Sequence, residues 1–194
     1  MIRHAELVVI GSSWGGLRAL QALLRMLPPA FPCPVLIAQH RGPSDDLDLA
    51  GALAESATLP VTDAADKDAL AAGRVYLAPA DYHLLVERRG AVALSTAAPV
   101  RAARPSIDVL FETAAAAYGA SLIGVVLTGA SADGAAGVAA IQRAGGTVIV
   151  QDPSTAECRI MPAAAVAATR DPLVVPLEAI ALHLARATGG HVLS

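Results

Sequence analysis

The chain has 194 residues and a net charge of −3, with 55 % apolar and only 3 % aromatic residues, which is enough length for one domain with a sizeable core. Without a basic run, and with so few rings to stack on bases, it is not expected to bind nucleic acid. Its most apolar stretch, SLIGVVLTGA at 121–130, is followed by Ser131 and Asp133 and is too short to span a bilayer, and the start shows no signal-cleavage pattern, so a cytoplasmic protein without membrane insertion is expected.

AELVVIG at 5–11 is a short apolar strand. GGLRALQALLRML at 15–27 places leucines at helical spacing and stops before Pro28-Pro29. PVLIAQ at 34–39 is a second buried strand. SDDLDLAGALAES at 44–56 is expected as a helix capped by Ser44, with acids in its first turn. GRVYLAP at 73–79 is a strand, and YHLLVERRGAVALST at 82–96 a hairpin turning near Arg89-Gly90.

RPSIDVLFETAAAAYG at 104–119 reads as a helix capped by Ser106 and closed by Gly119. The strand at 121–129 follows, then a helix in DGAAGVAAIQRAGG at 133–146 and a strand in TVIVQD at 147–152. PAAAVAAT at 162–169 and PLEAIALHLARAT at 176–188 are helices with PLVV between them. Such alternation predicts βαβ units: a doubly wound, mainly parallel sheet with helices on both faces and one antiparallel hairpin. No linker or repeat divides the chain, so residues 1–194 are expected to form a single domain. Cys33 and Cys158 are far apart and belong to no CxxC pair, and His4, His40, His83, His183 and His191 lack metal-ligand spacing. Free thiols, no metal and no cofactor are therefore expected.

The turn VVIGSSWGGL at 8–17 admits two chemistries. A glycine turn opening a helix can cradle a phosphate, but GSSWGG lacks GxGxxG spacing, no Walker lysine is present, and the second strand ends in His40 rather than a ribose-binding acid. The same turn can instead raise a serine above the sheet as a nucleophile. Sites in open α/β sheets form beyond the carboxyl ends of the strands. Three strands end there in Ser12-Ser13, His40 and, after ASA, Asp133. Each also has a structural role open to it: a helix cap for either serine and for Asp133, a loop position for His40.

The sequence carries IGSSWGG at 10–16, Gln39-His40 closing the second strand, YLAP at 76–79, RPSIDVLF at 104–111, LTGASADGAAG at 127–137, then Gln151-Asp152 and Met161-Pro162. In this order and spacing, nearly end to end, it resembles the catalytic domain of CheB-type chemotaxis protein-glutamate methylesterases. The resemblance implies a serine hydrolase that demethylates glutamyl methyl esters on chemoreceptors and can deamidate receptor glutamines. By the same resemblance the nucleophile is Ser13, the general base His40 and the orienting carboxylate Asp133. The backbone N–H groups of Trp14 and Ala130 are candidate oxyanion donors.

Trp14 stands where the family has a small hydroxyl residue, Ala130 where it has methionine, and Arg41-Gly42 where it has Met-Pro. Ala103 and AECRI at 156–160 also diverge. These departures bear on substrate choice, and they motivate two alternatives: a non-catalytic binding module of the same fold and a small-molecule carboxylesterase. Arg101 and Arg104 are candidates to hold an acidic receptor surface, with salt-bridge partnership as their structural role. Many family members carry an N-terminal receiver domain. Here the first strand begins within ten residues of the start, so either constitutive activity or control by a separate response regulator is expected.

Overall fold

Strands buried on both faces of a parallel sheet read as unbroken apolar runs rather than as alternating ones, and three of the runs above form the centre of the sheet. The computed structural model describes residues 5–42 and 47–189. β1 (Leu7–Ser12), β2 (Val35–Gln39) and β7 (Leu122–Val126) are buried along their whole length. β3 (Val61–Asp63) and β4 (Val75–Leu77) flank β2, while β8 (Thr147–Gln151) and β9 (Leu173–Val175) flank β7. The order is β3-β4-β2-β1-β7-β8-β9, parallel at every pair. From β1 the chain lays β2, β3 and β4 on one side, with β4 inserted between β2 and the edge strand β3, and then returns to lay β7, β8 and β9 on the other. The topological switch point therefore lies between β1 and β7, where open α/β sheets form clefts.

β5 (His83–Arg88) and β6 (Ala91–Ser95) pair antiparallel as a separate hairpin, outside the main sheet. α1 (Gly16–Met26), α2 (Leu49–Ala54) and α6 (Leu177–Thr188) cover one face. Leu20, Leu23, Leu24, Leu53, Ile180 and Leu184 pack there on Val8, Ile10, Val35 and Ile37. α3 (Ile107–Tyr118), α4 (Ala135–Arg143) and α5 (Ile160–Ala168) cover the other with the hairpin. There Leu110, Phe111, Val138 and Ile141 pack on Leu7, Val9, Leu36 and Val126. Because side chains alternate along a strand, each central strand feeds both cores, and each core is a continuous layer.

The expected fold class matches this architecture. One helix differs from the reading. α2 begins at Leu49 and is capped by Asp48, whose carboxylate accepts from Gly51 N–H at 2.8 Å. Leu47 and Asp48 are not helical, and the expected cap Ser44 lies outside the described residues. In that acid-rich stretch Asp48, three residues before Gly51, offers the better-placed cap. β3 was not foreseen, because three residues at a sheet edge carry almost no periodicity.

Candidate active site

Ser12 and Ser13 leave β1 with opposite orientations. Ser12 is fully buried and its hydroxyl donates to Gln39 Oε1 at 2.6 Å. Ser13 is half-buried, and its hydroxyl makes no hydrogen bond among the described residues. By strand alternation Ser13 takes the side of Gly11, the face of α3, since a Cβ on Gly11 would strike Ile107. The turn after Ser13 closes through Gly15, held at φ 76°, with Gly16 N–H donating to the Ser13 carbonyl at 2.8 Å. That left-handed conformation favours glycine. A side chain at Gly15 would in addition meet Glu157, which lies directly over the turn.

The β1–β2 ladder ends with His40 N–H donating to the Ser12 carbonyl at 2.9 Å. The last paired residues are Ser12 and Gln39, so Ser13 and His40 are the next step in register, one on each neighbouring strand. Adjacent strands lie about 4.8 Å apart. His40 follows the alternation of Leu36 and Ala38 onto the α3 face, the same side as Ser13.

Asp133 waits on that face. His40 Nε2 lies 2.7 Å from Asp133 Oδ2, with the His40 side chain 15 % exposed and that of Asp133 fully buried. The carboxylate also accepts from Ile107 N–H at 2.7 Å, Ser106 Oγ at 3.0 Å, and the N–H groups of Asp108 and Gly134 at 3.1 Å. Asp133 therefore does cap a helix, but it caps α3. α4 begins after Gly134 without a side-chain cap. Burial by itself would raise the Asp133 pKa. The hydrogen bonds from His40, Ile107 and Asp108, with the charge of His40, outweigh it and hold the carboxyl below its ordinary value. A carboxylate can only accept, so Nε2 donates to Asp133, and in the tautomer that this bond selects Nδ1 carries the lone pair.

The support behind Asp133 extends two layers. Ser106 N–H donates to His83 Nδ1 at 3.2 Å, and the buried His83 donates from Nε2 to the Ala98 carbonyl at 3.2 Å. The hairpin thus holds the N-terminus of α3 in place. Asp108 is buried beside Asp133 and accepts from Gly137 N–H at 2.7 Å and Arg101 Nε at 3.1 Å. Burial, joined by the neighbouring charge of Asp133, pushes its pKa up. Arg101 and Arg104 are both committed to such bonds. Arg104 pairs with Asp81 and donates to the carbonyls of Thr96 and Ala97 at 2.8 and 3.0 Å.

On the open side of the turn, a cleft of about 360 Å³ is lined by Ser13, Trp14, Gly16, Arg18, Gln39 and Glu157. Trp14 is 66 % exposed along this rim. Its carbonyl accepts from Thr128 Oγ1 at 2.9 Å, and Ser13 N–H donates to the Thr128 carbonyl at 3.0 Å. Thr128 Oγ1 also accepts from Cys158 N–H, and Thr128 N–H donates to Gln151 Oε1. The turn after β1, the end of β7 and the segment ahead of α5 are thereby one unit. The backbone N–H groups of Trp14 and Ala130 have no partner among the described residues. Reading from sequence singled out Ser13, His40, Asp133, Trp14 and Ala130. It missed Thr128, Asp108 and Glu157, and it took Ser106 as a helix cap alone.

Cys33 and Cys158 are free thiols. Cys33 is buried and donates to the Ala5 carbonyl at 2.9 Å, and burial, with the charge of Glu6, pushes it up to about 11. Among the described residues, no group of three metal-ligating side chains is close enough to hold an ion, and no helix is long and apolar enough to cross a membrane.

Comparison with known proteins bears on the family and the fold. The family described as CheB methylesterase matches residues 8–184. A Leptospira interrogans protein is 44 % identical over 176 residues, covering 91 % of each chain. The Anaeromyxobacter dehalogenans protein named protein-glutamate methylesterase/protein-glutamine glutaminase 2 is 44 % identical over 177 residues, and the match covers 91 % of this chain and 52 % of that one. In three dimensions the chain superposes on the crystal structure of the Thermotoga maritima CheB methylesterase catalytic domain with a TM-score of 0.86 at 34 % identity, covering 94 % of this chain and 98 % of that one.

Proposed function

The chain belongs to the CheB methylesterase family, and from that premise we propose that it hydrolyses glutamyl methyl esters on methylated chemoreceptors through Ser13, His40 and Asp133. The observation that carries the proposal is the 2.7 Å bond between His40 Nε2 and Asp133, made one register step from Ser13, whose hydroxyl has no hydrogen bond among the described residues. Among the described residues, Nδ1 of His40 has no partner, which leaves it for that hydroxyl.

The reaction follows from this proton arrangement. Ser13 Oγ attacks the γ-carbonyl carbon while its proton passes to His40 Nδ1. Asp133 holds the ring by its Nε2–H and stabilises the imidazolium that forms. Oxyanion charge develops over the turn, where the free N–H groups of Trp14 and Ala130 are the donors. Nδ1–H then protonates the departing methoxide, methanol leaves, and a glutamyl ester of Ser13 remains. Water loses a proton to Nδ1, attacks that ester and releases the glutamate side chain with Ser13 restored. A receptor glutamine follows the same course with ammonia leaving.

The cleft suits a side chain presented on a protein surface: it is open, and an exposed indole forms its rim. The test is methanol release from methylated receptor. Wild type is expected to release it, and Ser13→Ala to lose at least about 10⁴-fold in kcat. No release from folded wild type sinks the proposal in favour of a binding module. Rapid turnover of short acyl esters without receptor activity would favour a small-molecule carboxylesterase.

A further inference from the structure

Gln39 closes β2 between the two strand ends that carry the nucleophile and the base. It is buried, and its amide uses every group it has. Nε2 donates to the Ser13 carbonyl and to the His40 carbonyl, both at 2.9 Å, and Oε1 accepts from Ser12 Oγ at 2.6 Å. The orientation of the amide is fixed by its partners. Two carbonyls can only accept, so the NH₂ end must face them, and the serine hydroxyl is left to donate to Oε1.

The position of this contact matters. The β1–β2 ladder makes its last backbone bond at His40 N–H, and past it the chains part, one into α1 and the other through Arg41 and Gly42. No further backbone bond joins residue 13 to residue 40. The Gln39 amide supplies the missing rung through its side chain. The fit is close as well: a Cβ on Gly16 would collide with Gln39 Oε1 and come within 2.9 Å of Ser12 Cβ. The second glycine of the turn is thus required by the clamp, not by its own backbone angles.

We infer that Gln39 is a positioning residue that sets the separation of Ser13 and His40. The inference rests on the reading of those two residues as nucleophile and base. The Gln39 side chain acts through the backbones of both.

The test uses the full chain with Gln39→Met, which keeps the length and removes all three hydrogen bonds, and Gln39→Glu, which keeps the acceptor for Ser12 and removes both donors. Three quantities are measured: the labelling rate of Ser13 by a fluorophosphonate, kcat and KM on methylated receptor, and unfolding in urea. A misplacement of the order of 1 Å costs about 100-fold. Labelling and kcat are therefore expected to fall about 100-fold in both variants, with KM within about twofold and a single cooperative unfolding transition retained. Labelling and kcat within about threefold of wild type in either folded variant would overturn the inference. So would failure of both variants to fold, which would make Gln39 a structural residue instead. The labelling arm separates this inference from the receptor reading. Wild type that labels at Ser13 but spares the receptor leaves the clamp standing while the substrate reading fails. Wild type that does not label removes the nucleophile, and the clamp with it.

Discussion

Neighbouring side chains at a strand end point to opposite faces, and at residues 12 and 13 this separates two roles for the same hydroxyl. Ser12 is sealed in and bonded to Gln39. Removing its hydroxyl leaves a buried acceptor unpaired, at a cost of about 1–3 kcal/mol. Ser12→Ala is expected to lower the urea midpoint while Ser13 still takes a fluorophosphonate. Ser13→Ala should reverse both outcomes. Asp133 allows a second prediction at this scale. Its folded pKa is depressed, so it stabilises the fold at pH values above its unfolded pKa, and that contribution is lost as pH falls through the folded value. The stability gap between wild type and Asp133→Asn should therefore be full near neutrality and shrink as pH falls below about 4. A gap that widens in acid would contradict the assignment. Asp108 works in the opposite sense, since a raised pKa makes the folded state take up a proton first.

The element that organises the site is α3. Its N-terminal N–H groups, which lack partners within the helix, are aimed at Asp133, so a helix end and a buried carboxylate satisfy each other. The partial positive charge at a helix N-terminus favours this placement further. α4 packs on α3 at close range, and Gly137 permits it: a Cβ there would press on the Phe111 side chain. Gly137→Ala is expected to lose about 1–3 kcal/mol in urea denaturation through overpacking. Its Ser13 labelling should also slow, because Gly137 N–H anchors Asp108 beside Asp133. Unchanged stability would show that α3 and α4 separate more readily than this contact implies. Arg101 and Arg104 act at this level too. Their guanidinium groups fasten the segment after the hairpin to Asp108 and Asp81, which is the structural alternative raised for them from sequence.

Across the whole molecule, the sheet divides the apolar interior into two layers that share no members. Ile180 in α6 and Ile141 in α4 are both fully buried, one in each layer. Ile180→Val and Ile141→Val should each cost about 0.5–1.5 kcal/mol. Because they share no neighbours, the double variant should equal their sum within about 0.5 kcal/mol. A larger coupling energy would mean that the sheet transmits strain between its faces. The strand order also fixes where the proposed site lies. With β1 between β2 and β7, the three loops that carry Ser13, His40 and Asp133 leave from adjacent strands at the switch point.

Some of this was legible in the sequence because it is written locally. Unbroken apolar runs mark strands buried on two faces, leucines at helical spacing mark α1, and Arg89-Gly90 marks the hairpin turn, since each depends on residues a few positions apart. The motifs at 10–16, 39–40 and 127–137 likewise identify the candidate chemistry by type and order. What the chain could not disclose depends on contacts between distant residues. Strand order put residues 13 and 40 in register, burial gave Ser12 its bond to Gln39, and packing gave Asp133 to α3 rather than to its own helix. The same long-range packing gave Arg101 and Arg104 their carboxylate partners. Hydrophobic periodicity is a property of neighbours along the chain, whereas a hydrogen bond spanning 93 positions, such as that between His40 and Asp133, exists only once the sheet has brought its ends together.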